Sequence, residues 1–145
     1  MADVVSTGEV FASTDALRET WPVAAEVAKG TALLDSGSKP GVAYTASGAH
    51  TASKTVGPYT VSGIPDGGAS LNALEVSVAT DGTWMFPVAG ASSTTVQGVA
   101  VYAAVSGGLV TSLTLTSTSN TLFGRVNLPA GKVAASTATP VKIGA

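Results

Sequence analysis

The chain has no cysteine and only one histidine among its 145 residues. It therefore forms no disulfide bond, and zinc and iron–sulfur sites, whose ligands are mainly cysteine and histidine, are nearly excluded. His50 lies in the segment SGAHTAS, and no G-x-S-x-G nucleophile elbow occurs anywhere in the chain. We interpret His50 as a solvated loop residue rather than as a catalytic base.

Other patterns that carry chemistry are also missing. Gly131-Lys132 is followed by Val133 and lacks the upstream glycine of a phosphate-binding loop. Acidic residues are scattered singly, and Glu75 and Asp81 would need a shared cleft to work as an acid/base pair. No loop has the alternating Asp and Asn of a calcium site. We predict no catalytic residue, no cofactor and no metal ion, and hence a protein that is not an enzyme.

Charge is scarce and unevenly distributed. Charged residues make up 11% of the chain, against about 25% in an average soluble domain, and Gly82–Gly124 contains no Asp, Glu, Lys or Arg. Such a stretch is either covered by sister subunits or a larger assembly, or forms a neutral Ser/Thr surface that is soluble without partners. The net charge is −2 without a basic patch, so we predict no nucleic-acid partner.

Long apolar runs are absent as well. Val99–Val105 is the longest in the charge-free stretch, far short of the ~20 residues that a membrane helix needs. The beginning of the chain, MADVVSTGEVF, lacks the basic start and apolar run of a signal peptide. We therefore predict a soluble protein that is made in the cytoplasm and has no membrane partner.

Small β-forming residues dominate what is present. Hydrophobic residues make up 45% of the chain but aromatic residues only 6%, so most of the apolar content is Ala and Val. Short alternating runs, separated by turn clusters every 8–12 residues or so, predict an all-β sandwich or barrel. Ser13–Trp21, with Pro22 behind it, is the one helix-like segment.

These patterns divide the chain into two parts. Residues 1–22 are predicted to be an N-terminal arm with a short helical turn, and residues 23–145 a single β-rich domain. Within that domain, residues 47–70 are interpreted as a long loop that has room for a short strand at Tyr59–Ile64. Pro140–Ile143 is predicted to be a short closing strand.

Ala73–Val88 reads as a β-hairpin around Asp81-Gly82, the strongest local hairpin signal in the chain. A two-residue loop would place Trp84 opposite Ala79. A three-residue loop pairs Val78 with Trp84 and brings the large apolar side chains to one face, and because the buried face sets the register we prefer it.

A second hairpin is predicted from Gly98–Val105 and Leu109–Leu115, with a three-residue loop at Ser106-Gly107-Gly108 that pairs Val101 with Leu113. In the following strand, Thr121–Leu128, Gly124 indicates a bulge or a close backbone approach, and Leu122 is expected to share the buried face with Val126. The residues that we predict to form the core are Val76, Val78, Trp84, Phe86, Val99, Val101, Leu113 and Leu115.

Three motifs in the second half of the chain resemble one family. Gly82–Pro87 matches G-x-W/F-x-F/L-P, Gly98–Tyr102 matches G-x-x-V-Y, and Leu122–Val126 matches I/L-F/I-G-x-V/A. Together with the terminal strand Pro140–Ile143, they resemble the small capsid decoration, or cement, proteins of tailed bacteriophages. The resemblance covers about Val23 to Ile143.

The resemblance implies a small antiparallel β-barrel or β-tulip-like domain, often a homotrimer, on the exterior of the expanded capsid in the virion. Such a protein stabilises the head by binding neighbouring major capsid proteins, and has no cofactor and no active site. We expect the N-terminal arm to contact the capsid by strand addition. The expected contact residues are Val4, Val5, Val10 and Phe11.

Two other functions stay open at this stage. The chain could be another structural component of the virion, such as a tail or head-fibre protein. It could also be a glycan-binding β-module in which Trp84 or Tyr59 stacks on a sugar.

Overall fold

The computed structural model of the chain describes residues 8–11, 18–47, 51–65 and 74–144. These residues form antiparallel β-sheets and no helix, which confirms the all-β prediction. The strands are β1 (Gly8–Phe11), β2 (Arg18–Pro22), β3 (Ala32–Leu34), β4 (Pro40–Ala43), β5 (Thr51–Val56), β6 (Tyr59–Pro65), β7 (Glu75–Ala79), β8 (Gly82–Phe86), β9 (Ala100–Ser106), β10 (Leu109–Thr114), β11 (Thr121–Val126) and β12 (Thr139–Ile143).

Six strands form the larger sheet, in the order β1-β8-β12-β11-β9-β10. The closing strand that the sequence predicts is β12, which lies inside this sheet with β8 on one side and β11 on the other. Its Val141 and Ile143 are fully buried. The strand nearest the end of the chain thus completes the interior of the sheet.

The smaller sheet has four strands in the order β2-β7-β4-β3, and both of its faces are covered. On one face, Ala32, Val42 and Ala79 join the large core formed with the six-stranded sheet. In that core Phe86 and Phe123 meet edge to face, with ring centroids 5.7 Å apart. The opposite face carries a second core, made of Trp21, Val27, Leu33, Ala43, Val76 and Val78.

The predicted hairpin over Asp81-Gly82 is wrong, although both of its strands exist. Strand β7 pairs with β2 and β4, whereas β8 pairs with β1 and β12, so the chain turns a corner from one sheet into the other. Trp84 Nε1 donates a 3.0 Å hydrogen bond to the Asp81 carbonyl across this corner. The corner sends Val76 and Val78 into the second core and Trp84 into the first, so two cores are filled instead of one shared face.

The second hairpin is correct, but its predicted register is wrong. Leu109 pairs with Ser106, so the loop has two residues, Gly107 and Gly108, with φ of 61° and 78°. Two consecutive positive φ angles define a type I′ turn, which matches the twist of the strands it joins. A register shift between Val110 and Ser112 then brings Leu113 opposite Ala103 rather than Val101.

In β11 the prediction for Gly124 is confirmed and the predicted face is wrong. The register shifts between Leu122 and Gly124, and a Cβ atom at Gly124 would overlap the carbonyl oxygen of Lys142. The shift turns Phe123 into the core and leaves Leu122 48% exposed. Leu122 and Arg125 therefore lie on the same outer face.

The short helix is also wrong where the structure describes it. All five residues of β2 pair with β7, because a helix of one or two turns has little stability of its own and strand pairing outweighs it. The rest of the predicted helix, residues 13–17, lies outside the described residues.

The long loop predicted at 47–70 contains a hairpin instead. Strands β5 and β6 form a two-stranded sheet, closed by the turn Gly57-Pro58. Gly57 has a φ of 57°, and because Pro58 is restricted to negative φ the turn is of type II′. Regular strand pairing thus occupies most of a segment whose glycines and prolines indicate irregular structure.

Candidate interaction surfaces

The acidic side chains do not form a metal site in the part of the chain that the structure describes. No group of three or more His, Asp or Glu is arranged there to hold a metal ion. Glu75 begins β7 and Asp81 follows its other end, so the two carboxylates are not brought together by that strand. His50 lies outside the described residues. Within the same ranges, no helix has the length and apolarity to cross a membrane.

Glu19, Lys39 and Trp21 form a polar cluster on the smaller sheet. Lys39 Nζ lies 2.5 Å from Glu19 Oε1, and Trp21 Nε1 donates a 2.8 Å hydrogen bond to Glu19 Oε2. Lys39 and then the indole hold the pKa of Glu19 below its ordinary value of 4.5. The cluster ties the edge strand β2 to the loop between β3 and β4, which is a stabilising role.

The β5–β6 hairpin carries three exposed large apolar side chains close together. Val56 is 61% exposed, Tyr59 74% and Val61 53%. Val56 is the cross-strand partner of Tyr59, and Val61, two residues after Tyr59, is the partner of Lys54. Because side chains two residues apart on a strand lie on the same face, Val56, Tyr59 and Val61 share one face of the hairpin. We call this set, Val56, Tyr59 and Val61, the hairpin face. The opposite face has Thr55 and Thr60, whose hydroxyls are 3.1 Å apart.

A second exposed surface is the outer side of the larger sheet. Leu122 pairs with Tyr102, and Arg125 pairs with Ala100 on one side and Lys142 on the other. Most of this surface comes from the charge-free stretch, and its exposed or half-exposed side chains there are small or uncharged. Arg125 and Lys142 border the neutral area.

Two open clefts separate the loop between β3 and β4 from strand β11. One has a volume of about 380 Å³ and is lined by Ser38, Pro40, residues 121–125 and Gly144. We call it the β11 cleft. The other, of about 530 Å³, is lined by residues that include Trp21, Leu34 and Val105, and shares Ser38 and Thr121 with the first. Apolar walls with few charges suit a side chain of another protein better than a polar substrate.

The structure places all of the residues predicted for the core and two of the four predicted for capsid contact. Six of the eight predicted core residues are buried, two of them in the second core and four in the large core. The other two, Val99 and Leu115, are partly buried against the large core. Val10 and Phe11 lie in β1, which pairs with β8 of the same chain. Val4 and Val5 lie outside the described residues.

Sequence reasoning missed the hairpin face, and it anticipated a charge-free surface without placing Leu122 and Arg125 on it. The signal for the first was present: Gly57-Pro58 separates TASKTV from YTVSGIP, and a turn between two β-forming runs predicts a hairpin. The signal for the second was not local. Leu122 is exposed because of the register shift in the pairing of β11 with β9, a strand some twenty residues earlier in the chain.

Comparison with protein-family models, curated proteins and solved structures finds no match for this chain.

Proposed function

We propose that the chain is a capsid decoration protein of a tailed bacteriophage. It binds the outer surface of the expanded head and stabilises the contacts between major capsid proteins. The proposal starts from the three motifs Gly82–Pro87, Gly98–Tyr102 and Leu122–Val126, and an all-β fold is compatible with it. Assembly as a trimer and location on the capsid exterior are parts of the same proposal.

The hairpin face is the observation that carries it. A two-stranded hairpin is marginally stable alone in water, yet β5–β6 pairs with neither larger sheet and leaves three large apolar side chains in solvent. Contact with another protein would bury that face and stabilise the hairpin at the same time. Burial of a Val or Tyr side chain contributes about 1.5–3 kcal/mol, so a small contact suffices when many copies bind to one lattice.

Strand β1 supplies a second means of attachment. It is the terminal strand of the larger sheet among the strands that the structure describes, so one of its edges is paired with β8. No described strand pairs with the other edge, where a strand of the partner would add. In this proposal, the contact predicted at Val10 and Phe11 is made by the outer edge of β1.

The copy number on particles tests the proposal. Purified protein is mixed with expanded heads of its source phage that lack it, the heads are sedimented, and bound chain is quantified against the major capsid protein. Saturation near one chain per capsid protein supports a decoration role. A few copies per particle would instead indicate a tail or fibre component, and no binding would overturn the proposal.

A matched pair of hairpin variants tests the contact. Val56→Thr, Tyr59→Thr and Val61→Thr together keep strand-forming residues but remove the apolar face, and we expect binding to weaken about tenfold or more. The control, Thr55→Ser with Thr60→Ser, changes the opposite face and should bind as the parent does. Equal binding by both variants would show that the hairpin face is not the contact.

Glycan binding is less well supported by the geometry. Trp84 is 6% exposed and lies in the large core, so its ring has no free face for a sugar. Of the two residues considered for stacking on a sugar, Trp84 and Tyr59, Tyr59 is the exposed one. A glycan that bound the parent protein but not a Tyr59→Ala variant would favour this alternative.

A further inference from the structure

Arg125 and Lys142 are direct cross-strand partners on β11 and β12, and both are exposed. Their neighbours Val126 and Val141 face the core, so the two cations lie side by side on the outer face. Among the side chains that the structure describes, no carboxylate forms a salt bridge with either of them. Because like charges opposite each other weaken a sheet, this pair opposes the stability of the free protein.

The position of Arg125 is well defined. Its Nη1 donates a 3.2 Å hydrogen bond to the Gly98 carbonyl, which directs the side chain along the sheet. The register shift in β11 brings Leu122 to the same face, beside its partner Tyr102. The cationic pair therefore borders an apolar area whose main members are Leu122 and Tyr102.

The β11 cleft adjoins the same residues. Leu122 and Arg125 line it on the β11 side. Ser38, in the loop between β3 and β4, and Pro40, the first residue of β4, line the other side. Its volume of about 380 Å³ is ample for one apolar side chain. A cleft for an apolar group next to two uncompensated cations fits a segment that combines an apolar side chain with carboxylates.

The charges favour an acidic protein over a nucleic acid. Nucleic-acid affinity grows with the number of phosphates that are neutralised, and this site offers two cations on a chain whose net charge is −2. The adjoining Leu122 and Tyr102 are apolar or uncharged, and aromatic residues and arginine are the side chains enriched where proteins bind each other tightly.

We propose that this surface docks an acidic segment of the partner protein, with one apolar side chain in the β11 cleft and carboxylates paired with Arg125 and Lys142. The inference rests on the proposed function, because the partner that it describes is the major capsid protein. To the proposed function, the inference adds the chemistry of the contact and the residues that make it.

Charge reversal tests the inference on the same expanded heads. Arg125→Glu and Lys142→Glu should each weaken binding about tenfold or more and flatten its dependence on salt. The control is Lys132→Glu, an exposed cation in the loop after β11 that undergoes the same change in net charge. Leu122→Ser should weaken binding while leaving the salt dependence unchanged, because it removes only the apolar part of the contact.

The stability of the free protein separates lost contacts from lost folding. Lys142→Glu places a carboxylate opposite Arg125, so the denaturation midpoint should stay the same or rise while binding falls. If the parent protein binds heads and the charge-reversed variants bind equally well, the inference is overturned and the proposed function stands. Absence of binding by the parent protein would overturn both. Binding of the parent protein to a short DNA duplex as tight as its binding to heads would overturn the acidic-protein assignment alone.

Discussion

The indole ring of Trp21 lies directly over Gly41 on the smaller sheet. A Cβ atom at Gly41 would lie 2.7 Å from Trp21 Cη2 and would overlap Val78 Cγ1. Trp21 and Val78 belong to the second core and are both buried. The absence of a side chain at Gly41 is therefore what allows β2, β7 and β4 to close over that core.

This contact predicts that Gly41→Ala destabilises the protein by about 1–3 kcal/mol, because overpacking forces buried side chains away from their preferred positions. The free energy of unfolding by urea measures the effect. The matched control is Gly37→Ala, whose Cβ would meet only Asp35 Oδ1 at 3.4 Å, an ordinary contact distance. Equal stability of the two variants would show that the second core accommodates the added methyl group by small shifts of its side chains.

The pKa of Glu19 predicts a specific dependence of stability on pH. Lys39 and the Trp21 indole lower the pKa of Glu19 in the folded protein below 4.5, so ionised Glu19 favours folding. That contribution is complete above the unfolded-state pKa and disappears as the pH falls through the lower folded-state value. We expect Glu19→Gln to be less stable than the parent at neutral pH, and the difference to close as the pH drops below 4.5.

Denaturant titrations of both proteins at several pH values measure this closure. Glu26→Gln, at an exposed position in the segment between β2 and β3, is the control for loss of a negative charge. A difference between Glu19→Gln and the parent that did not change with pH would contradict the assignment.

The edge-to-face contact of Phe86 and Phe123 predicts energetic coupling. Their ring planes are inclined at 82° with centroids 5.7 Å apart, and both residues are buried. In a double-mutant cycle with Phe86→Leu and Phe123→Leu, the coupling should be about 0.5–1.5 kcal/mol. Additive effects on the free energy of unfolding would mean that the two rings stabilise the core only through the area they bury.

The positions of β1 and β12 predict opposite responses to truncation. Removal of residues 139–145 deletes β12 together with its buried Val141 and Ile143 and separates β8 from β11, so we expect the larger sheet not to form. Removal of residues 1–12 deletes an edge strand whose one partner among the described strands is β8, so the protein should fold with a lower midpoint. Circular dichroism and limited proteolysis distinguish the two outcomes.

The second truncation also tests the expected contact of the N-terminal arm. We expect particle binding to fall when β1 is absent, because its outer edge is lost. Full binding by a folded protein without residues 1–12 would assign attachment to other surfaces.

Local sequence patterns were sufficient for the features that depend on neighbouring residues. Alternating small apolar residues produce strands, and Gly107-Gly108 makes a tight turn because glycine adopts positive φ without strain. The close approach at Gly124 was also readable, since a glycine inside a strand indicates that another backbone comes near. In the same way, Trp84 and Phe86 could be assigned to the core from their spacing.

Tertiary structure alone decided which strands pair and which faces are covered. A strand leaves its hydrogen-bonding groups open on both edges, so Asp81-Gly82 could join a hairpin or a corner between sheets, and the burial of two separate cores selected the corner. The same holds for the contact surfaces. Leu122 and Arg125 share a face through a register shift in the pairing of β11 with β9. The apolar face of β5–β6 is exposed because no strand that the structure describes packs over it. These outcomes depend on contacts between residues far apart in the chain, which no local pattern encodes.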